Sequence, residues 1–394
     1  MSTDSPFLLF KVECPICKTI NEFEQIKVGA YTEEGRDTDF CPQGITWRNP
    51  KYQASNPLLY FTATCSNCYY TQEFTNNFRE WKNDNAFRTY RLKTLKTKHL
   101  EQLSTADSHV KGLGDAIDIQ RYPNESAIIK LHLAIYDAQL VEHPSNLDLA
   151  RFYLRIGWVF RDLDTGEDPK QVVLRGLLRE IDDKYSALQG SIEGAQANME
   201  NLRSSVAAHF DTDQVRADVQ SVMFSFRDRY DSELSGLGQK FQTVEEALGS
   251  LRALTNEYRT AILGGGAESG EAAFGTYASF MDFLRQLQTR WDGVVTSERE
   301  ALEKAIKYYK AAYAGGRDIS PGAQQIQASY LIAELSRRIG DYDGAKQFFT
   351  STIKSGQEFI YQNRRDRSRT ALARKILELA IEQGRANLTA SKPS

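Results

Sequence analysis

The sequence predicts a mainly α-helical fold with a small β unit at the N-terminus and a long helical arm inserted into the helical body. Three observations support this fold class: two Cys-x-x-Cys pairs near the N-terminus, two distant segments that match the halves of one helical hairpin, and a heptad-like apolar pattern between those segments. The chain has 394 residues, enough for more than one domain. Its net charge of −3 gives no overall attraction to nucleic acid or anionic membranes, and no apolar run is long enough to span a bilayer.

Residues 1–78 are predicted to form a zinc-ribbon-like domain. It contains the pairs Cys14/Cys17 and Cys65/Cys68, and strand-like runs flank both of them. A Cys-x-x-Cys pair places two thiolates on one tight turn, and two such turns facing each other supply the four sulfur ligands that suit Zn²⁺. Because four thiolates leave no open position on the metal, the zinc is predicted to be structural. A redox pair or an iron site is the alternative.

Cys41 stands apart from the two pairs, directly after Asp37-Thr38-Asp39-Phe40. We expect a buried or semi-buried free thiol, since the neighbouring aspartates would raise rather than lower the pKa of a thiol. The alternatives are a substitute metal ligand and a redox-sensitive thiol.

Residues 79–163 are predicted to form a helical domain that is the first part of the body. Its first segment, 79–98, reads as a basic helix whose apolar and aromatic residues recur at helical spacing. A solvated helix face is the favoured interpretation of these charges. A zinc ribbon beside a basic helix is also a layout of nucleic-acid-binding proteins, and this alternative stays open.

Two apolar segments, 152–160 and 301–312, organise the body. In the first, Ile156, Gly157 and Phe160 have the spacing of the first helix of a tetratricopeptide repeat (TPR). In an ordinary repeat a short turn joins the two helices, so we predict a split hairpin with an arm inserted at its turn. The second segment has the spacing of the second repeat helix at Ala305, Tyr309 and Ala312.

Residues 164–298 are predicted to form the inserted coiled-coil arm. Apolar residues recur at steps of three and four over two long segments, with charges between them, as in a heptad seam. The pattern breaks at 210–213, which favours an antiparallel hairpin within the chain over pairing with a second chain. A glycine-rich stretch at 264–270 is predicted to be a flexible hinge.

Residues 299–386 are predicted to form the second part of the TPR-like body together with a capping helix. The best repeat match is a helix over 330–339, followed by the turn Gly340-Asp341-Tyr342. The last residues, 387–394, read as a polar tail.

The cysteine pairs, the segment Asp37-Thr38-Asp39-Phe40, Asn56-Pro57 followed by Tyr60, and the later helix pairs occur in a particular order. This order resembles an uncharacterised bacterial family that combines an N-terminal zinc ribbon with TPR-like repeats, over about 10–163 and 299–355. The chain departs from the family pattern at Tyr69, where the family usually has glycine, and in its long coiled coil. The resemblance implies a cytoplasmic bacterial protein with structural zinc and no known reaction.

The sequence carries no common catalytic motif, and its histidines are scattered, so we expect no enzymatic activity. The leading hypothesis is a scaffold or adaptor that binds a protein partner through the groove of the stacked repeats and through the arm. The alternatives are nucleic-acid binding through the ribbon and the 79–98 helix, and a structural protein that forms homo-oligomers through the coiled coil. For Trp158, core packing is the alternative to a groove role. The groove-facing candidates are Arg151, Trp158, Arg161, Glu334 and Arg337.

Overall fold

Three short antiparallel hairpins build the N-terminal part of the chain, and each is a separate two-stranded sheet. The first and third carry the cysteine pairs in their turns, and the second lies between them in sequence. A two-stranded hairpin is marginally stable by itself, so each packs on aromatic side chains or on the helices. The strands are β1 (Phe7–Glu13), β2 (Ile20–Ile26), β3 (Tyr31–Arg36), β4 (Pro42–Trp47), β5 (Thr62–Thr64) and β6 (Thr71–Glu73).

The rest of the fold is mainly helical, and several of its helices begin at a side chain that caps the first turn. Ser145, Ser297 and Asp366 accept hydrogen bonds from backbone N–H groups that would otherwise lack a partner. The helices are α1 (Asn76–Arg79), α2 (Leu92–Leu103), α3 (His109–Asp115), α4 (Pro123–Gln139), α5 (Asn146–Asp162), α6 (Pro169–Phe210), α7 (Ala217–Leu263), α8 (Phe280–Arg290), α9 (Glu298–Gly315), α10 (Ala323–Arg338), α11 (Tyr342–Gln362) and α12 (Arg367–Ala390).

The chain divides into two compact units, a body of residues 1–165 with 280–394 and an arm of residues 166–279. Residues 280–298, which the sequence analysis assigned to the arm, therefore belong to the body. The expected hinge at 264–270 and the pattern break at 211–213 lie outside the described residues, as do 392–394 of the polar tail. The computed structural model describes residues 5–53, 55–163, 169–210, 217–263, 277 and 279–391.

The basic segment 79–98 is not one continuous helix, so that expectation is wrong. Trp81 is buried against the first hairpin, where its Nε1 donates a hydrogen bond to the Glu13 carbonyl at 2.7 Å. The Asp84 carboxylate then accepts from the Phe87 backbone at 2.9 Å and starts a new turn. The segment consists of the end of α1, a 3₁₀ turn at Trp81–Asn83, a π-helical turn at Phe87–Arg91 and the start of α2.

Helix α4 is the central helix of the body, because every residue from Ser126 to Asp137 is buried. A helix that is buried all round needs an internal partner for each polar group it carries. The Lys130 ammonium donates to the Leu59 carbonyl. His132 donates through Nδ1 to the Ile128 carbonyl at 3.0 Å and accepts through Nε2 from the Val295 backbone at 3.0 Å.

Helices α5 and α9 pack together although the arm separates them in sequence. Gly157 allows the close approach, since a Cβ at this position would lie 3.1 Å from Leu302 Cδ2. Nearby, the rings of Tyr153 and Tyr308 stack with centroids 5.6 Å apart. The two segments that the sequence analysis matched to one hairpin are thus neighbours in the structure.

Helices α10, α11 and α12 continue the stack at the C-terminal end of the body. Their shared core includes Tyr330, Phe349 and Ile376, all of them buried. Gly340 has a φ of 86°, the left-handed conformation that glycine adopts without strain, and Asp341 caps the start of α11. The arrangement is a set of antiparallel helical pairs; its assignment as TPR-like stays a prediction.

In the arm, α6 and α7 run antiparallel beside each other. Gln196 donates to the Glu245 carboxylate at 3.2 Å, and Arg203 donates to the Ser235 hydroxyl at 3.1 Å. Pairing therefore occurs within the chain. No helix in the described part of the chain is both long and apolar enough to cross a membrane.

The body is expected to lose stability in mild acid because of His132. Burial lowers the pKa of this imidazole from 6.5 to about 3. Between those values the unfolded chain binds a proton that the folded chain does not, so stability falls as the pH falls. We expect His132→Gln to reduce the slope of the unfolding free energy against pH by up to about 1.4 kcal/mol per pH unit. The slope is measured by urea unfolding between pH 5 and 6.

The matched control is His143→Gln, at an exposed histidine. It should leave the slope unchanged. Equal slopes in the native protein and in His132→Gln would contradict the assignment, whatever the stability of that variant at neutral pH.

Candidate metal centre and ionic cluster

Four cysteines from the first and third hairpins converge on one point. Cys14 Sγ lies 3.6 Å from Cys68 Sγ, and Cys17 Sγ lies 3.5 Å from Cys65 Sγ. All four sulfur atoms are within 4.8 Å of one another. A tetrahedral metal with metal–sulfur bonds of about 2.3 Å requires sulfur–sulfur separations of about 3.8 Å. The site expected from the sequence is therefore brought together, and its four thiols could hold one metal ion.

The two cysteine turns have the same backbone geometry. In each, the residue after the second cysteine donates its N–H to the carbonyl of the first cysteine, as Lys18 does to Cys14 and Tyr69 does to Cys65. Both residues take up a left-handed conformation, with φ of 68° and 61°. Tyr69 thus adopts the conformation for which glycine would be the default.

The tyrosine makes contacts that a glycine could not. Its hydroxyl donates to the Asp115 carboxylate. Its ring lies directly over Gly114, where a Cβ would overlap the ring atoms. These contacts connect the second cysteine turn to α3. They are made by the residue at which the sequence analysis found a departure from the pattern of the similar family.

The ionisation of the four clustered cysteines is coupled, because their sulfur atoms lie so close together. Hydrogen bonding from the Cys14 thiol lowers the pKa of Cys65, whereas the same neighbour raises the pKa of Cys68. Asn21 adds a further donor, with its Nδ2 3.4 Å from Cys65 Sγ. Four thiolates this close repel one another, and a divalent cation removes that repulsion.

A buried carboxylate–imidazole pair links the second cysteine turn to the helical body. His99 Nε2 donates to the Cys68 carbonyl at 2.7 Å, and His99 Nδ1 donates to Asp137 Oδ1 at 2.6 Å. The second oxygen of Asp137 accepts from the Thr71 backbone at 2.7 Å. Burial alone would lower the pKa of His99, but the Asp137 carboxylate outweighs it and the pKa is raised. Helices α2 and α4 therefore hold the strand end next to the metal centre.

Cys41 is not part of the cysteine cluster. Its side chain is buried, and its Sγ is 3.6 Å from the Pro42 carbonyl. The structure thus agrees with the expected burial and does not place Cys41 with the cysteines that could hold a metal ion, as a substitute ligand would require.

The five candidate partner-binding residues contact other parts of the same chain. Arg151 pairs with Glu73 and Asp148, each at 3.0 Å. Trp158 is buried, and its Nε1 donates to Asp39 at 3.2 Å. Their role toward a partner stays a prediction. The remaining three, Arg161, Glu334 and Arg337, belong to one ionic cluster with Asp37, Asp39, Glu298 and Arg338.

Arg161 joins three segments of the body in this ionic cluster. Its Nη2 lies 2.7 Å from both Asp39 Oδ2 and Glu298 Oε1, and its Nη1 lies 3.1 Å from Asp37 Oδ2. Burial lowers the pKa of the guanidinium, but the carboxylates of Asp39 and Glu298 outweigh burial and raise it. Arg161 therefore links α5, the start of α9 and the β3–β4 turn.

The β3–β4 turn, residues 37–40, lies against α10 as an acidic loop. The Tyr330 hydroxyl donates to the Thr38 carbonyl at 2.7 Å, and Arg338 donates to the Thr38 hydroxyl at 2.8 Å. The fully buried Glu334 carboxylate accepts from Arg337 and Arg338. Sequence reasoning missed Arg338 and the two aspartates as parts of this cluster. The available signal was the Asp-Thr-Asp-Phe segment, which carried the family resemblance.

Removal of Arg161 is expected to destabilise the body. Arg161→Met leaves the fully buried Asp39 with hydrogen bonds from Trp158 and the Cys41 backbone, but with no cation closer than the Arg338 guanidinium, at 3.8 Å, among the described residues. Loss of one partner of a buried ion pair costs about 3 kcal/mol or more. We expect that loss in the free energy of unfolding measured with urea.

Arg299→Met is the matched control, because Arg299 pairs with Glu303 at 3.0 Å on the exposed face of α9. An exposed pair contributes about 0.5 kcal/mol. If the two substitutions lower stability equally, the ionic cluster does not hold the acidic loop.

Comparison with known proteins identifies one related family. The model of a family described as an uncharacterized protein conserved in bacteria (DUF2225) matches residues 9–197 and 285–372. The match includes all four clustered cysteines and also the first part of α6, which the sequence analysis regarded as additional. Neither a curated protein nor a solved structure matches the chain significantly.

Proposed function

The chain belongs to this bacterial family, and from its structure we propose that it is a non-enzymatic scaffold, stabilised by zinc, that binds a helical protein partner along its arm. The observation that carries the proposal is the apolar surface that α6 and α7 leave uncovered. The two Cys-x-x-Cys pairs, with all cysteines free, favour a reducing compartment such as the cytoplasm.

Zinc is the metal that suits the cysteine cluster best. Four thiolates at tetrahedral spacing are the ligand set of structural zinc sites, and they leave no position open for a substrate. The first and third hairpins each have only two strands, and the four cysteines bring their turns together, so we propose that metal binding and the folding of these two hairpins are coupled.

Loss of one ligand is expected to remove both zinc and the fold of the N-terminal hairpins. We expect Cys65→Ser to reduce zinc from one atom per chain to a small fraction, measured by elemental analysis, and to lower the melting temperature. Cys41→Ser is the control, since Cys41 lies outside the cluster. Unchanged zinc content and an unchanged melting profile in Cys65→Ser would overturn the assignment.

The arm covers little of its own apolar surface. Ile192 and Leu234 are the large aliphatic side chains buried among its described residues, at 6% and 8% exposure. Soluble proteins rarely expose a contiguous apolar surface without an interaction to cover it. Many other large side chains of the arm are 42% to 65% exposed: Leu177, Leu188, Leu202, Val222, Phe224, Phe226, Leu237, Val244, Leu251 and Leu254.

The spacing of the exposed residues favours a helical partner. Leu237, Val244 and Leu251 follow one another at seven-residue steps on α7 and form a stripe along one helix face. On α6, Leu188 and Leu202 are two such steps apart. A further helix laid against such a stripe would bury it in the way that coiled-coil helices bury each other.

Polar substitution along the stripe is expected to abolish partner binding without unfolding the protein. The variant is Leu237→Gln/Val244→Gln/Leu251→Gln, at exposed positions. The tagged native protein should capture a protein from the bacterium it comes from, with slower amide hydrogen exchange in α7 in the captured complex. The triple variant should lose that protein. The matched control, Lys240→Gln/Arg252→Gln, changes exposed polar residues of the same helix and should keep it.

Light scattering on the purified proteins tests the alternatives in the same experiment. A native dimer that becomes a monomer in the triple variant would replace the partner with a second copy of the chain. Nucleic acid in the captured fraction would favour the basic face of α2, where Lys93, Lys96 and Lys98 are exposed. Capture that is the same for the native protein and the triple variant would overturn the proposal.

A further inference from the structure

The body contains a cavity of about 430 Å³ between the β3–β4 hairpin and helices α5, α9 and α10. A volume of this size is typical of a site for a small molecule. Most of the wall is apolar or aromatic and includes Phe40, Phe61, Leu154, Trp158 and Leu331. We call this space the body cavity.

One arginine in the wall of the body cavity lacks a carboxylate partner. The Arg155 guanidinium donates from Nη1 to the Arg151 carbonyl at 3.0 Å and lies 4.2 Å from the centroid of the Phe61 ring. Its Nε is inaccessible to water and has no hydrogen-bond partner. Within the described part of the chain, no carboxylate lies within ion-pair distance of it, and its Nη2 donates no hydrogen bond.

The other arginines nearby are neutralised. Arg151 pairs with Glu73 and Asp148, and Arg36 pairs with Glu33 at 3.1 Å. Burial and the neighbouring Arg151 charge lower the pKa of Arg155 to about 10, although Tyr309, Glu73 and Asp148 act in the opposite direction. Arg155 therefore stays protonated at neutral pH. A desolvated cation without a counter-ion is costly, and an anion entering the cavity would remove that cost.

A tyrosine supplies a second free donor in the same wall. Tyr309 on α9 is 3% exposed, and its hydroxyl makes no hydrogen bond to any described residue. Burial raises its pKa to about 12, although the charges of Arg155 and Arg151 act in the opposite direction. The hydroxyl is therefore protonated at neutral pH and can donate. A ligand oxygen in the body cavity would accept the hydrogen bond that this hydroxyl can donate.

We propose that the body cavity binds a small organic carboxylate with an apolar or aromatic body, held by Arg155 and Tyr309. A guanidinium and a hydroxyl together match the two oxygens of a carboxylate. The single unneutralised arginine matches one negative charge rather than the two of a phosphate monoester. The aromatic wall accounts for the apolar body of the ligand. This site is independent of the arm, so either proposal can fail without the other.

The test uses the full-length zinc-loaded protein and two probes of the same shape. The probes are 3-phenylpropionate and its neutral amide, and binding is followed by calorimetry and by the shift in melting temperature. We expect millimolar or tighter binding of the acid and at least tenfold weaker binding of the amide. Equal binding of acid and amide, or stabilisation by inorganic phosphate alone, would overturn the proposal.

Two variants assign the binding to its residues. Arg155→Met should weaken binding of the acid at least tenfold while leaving the melting temperature of the free protein unchanged or higher, because it removes a partly buried charge that has no ion-pair partner among the described residues. A structural arginine would instead lower that melting temperature. Tyr309→Phe should weaken binding severalfold, and it tests the site separately if Arg155→Met does not fold. The control is Arg36→Met, which changes a neutralised arginine in the same wall. It should change the affinity for the acid less than threefold. Native affinity for the acid in both Arg155→Met and Tyr309→Phe would contradict the assignment.

Discussion

The body of this protein depends on the burial of two carboxylates, Asp39 and Glu334, which are fully removed from solvent. A buried carboxylate is stable as a charge only if cations and hydrogen bonds replace the water it has lost. Arg161 comes from α5, and Arg337 and Arg338 come from the end of α10. The acidic loop can adopt its position only when both helices are already in place. The ionic cluster therefore fixes the position of the β3–β4 hairpin on the helices, and residues of this hairpin form part of the wall of the body cavity.

The cluster of four cysteines is connected to the same body through hydrogen bonds rather than through apolar packing alone. His99 donates a hydrogen bond to the carbonyl of Cys68, and Asp137 accepts one from the backbone of Thr71, so the third hairpin is anchored within its turn and at the start of β6. Both anchoring side chains are fully buried. A shift of the cysteine turn would leave the imidazole and the carboxylate without their backbone partners. The conformation of the cysteine turn and the packing of α2 and α4 are consequently coupled.

Much of this arrangement could be predicted from local patterns. The cysteine pairs predicted the candidate metal centre, because the spacing within each pair and the tight turn are local properties of the chain. The helical spacing around Gly157 and Ala305 indicated two helices that pack together across the insertion. The broken course of the chain between Arg79 and Leu92 could not be predicted, because it follows from the burial of Trp81 against a strand far away in sequence. The ion pairs of Arg161 within the chain could not be predicted for the same reason, since its partners Asp37 and Asp39 are more than a hundred positions away in sequence.

The pairing of α5 with α9 has a consequence for the order in which the protein can fold. Residues 166–279 are synthesised between these two helices, and translation at 5–20 residues per second needs on the order of 10 s for that length. During that interval the Gly157 face of α5 has no Leu302 to cover it. Closure of the body also requires contacts between residues far apart in the chain, which carry a larger loop-closure entropy than a short turn would. The arm is thus fully synthesised before the body to which it belongs. The nascent N-terminal half exposes an apolar helix face until the ribosome has synthesised α9.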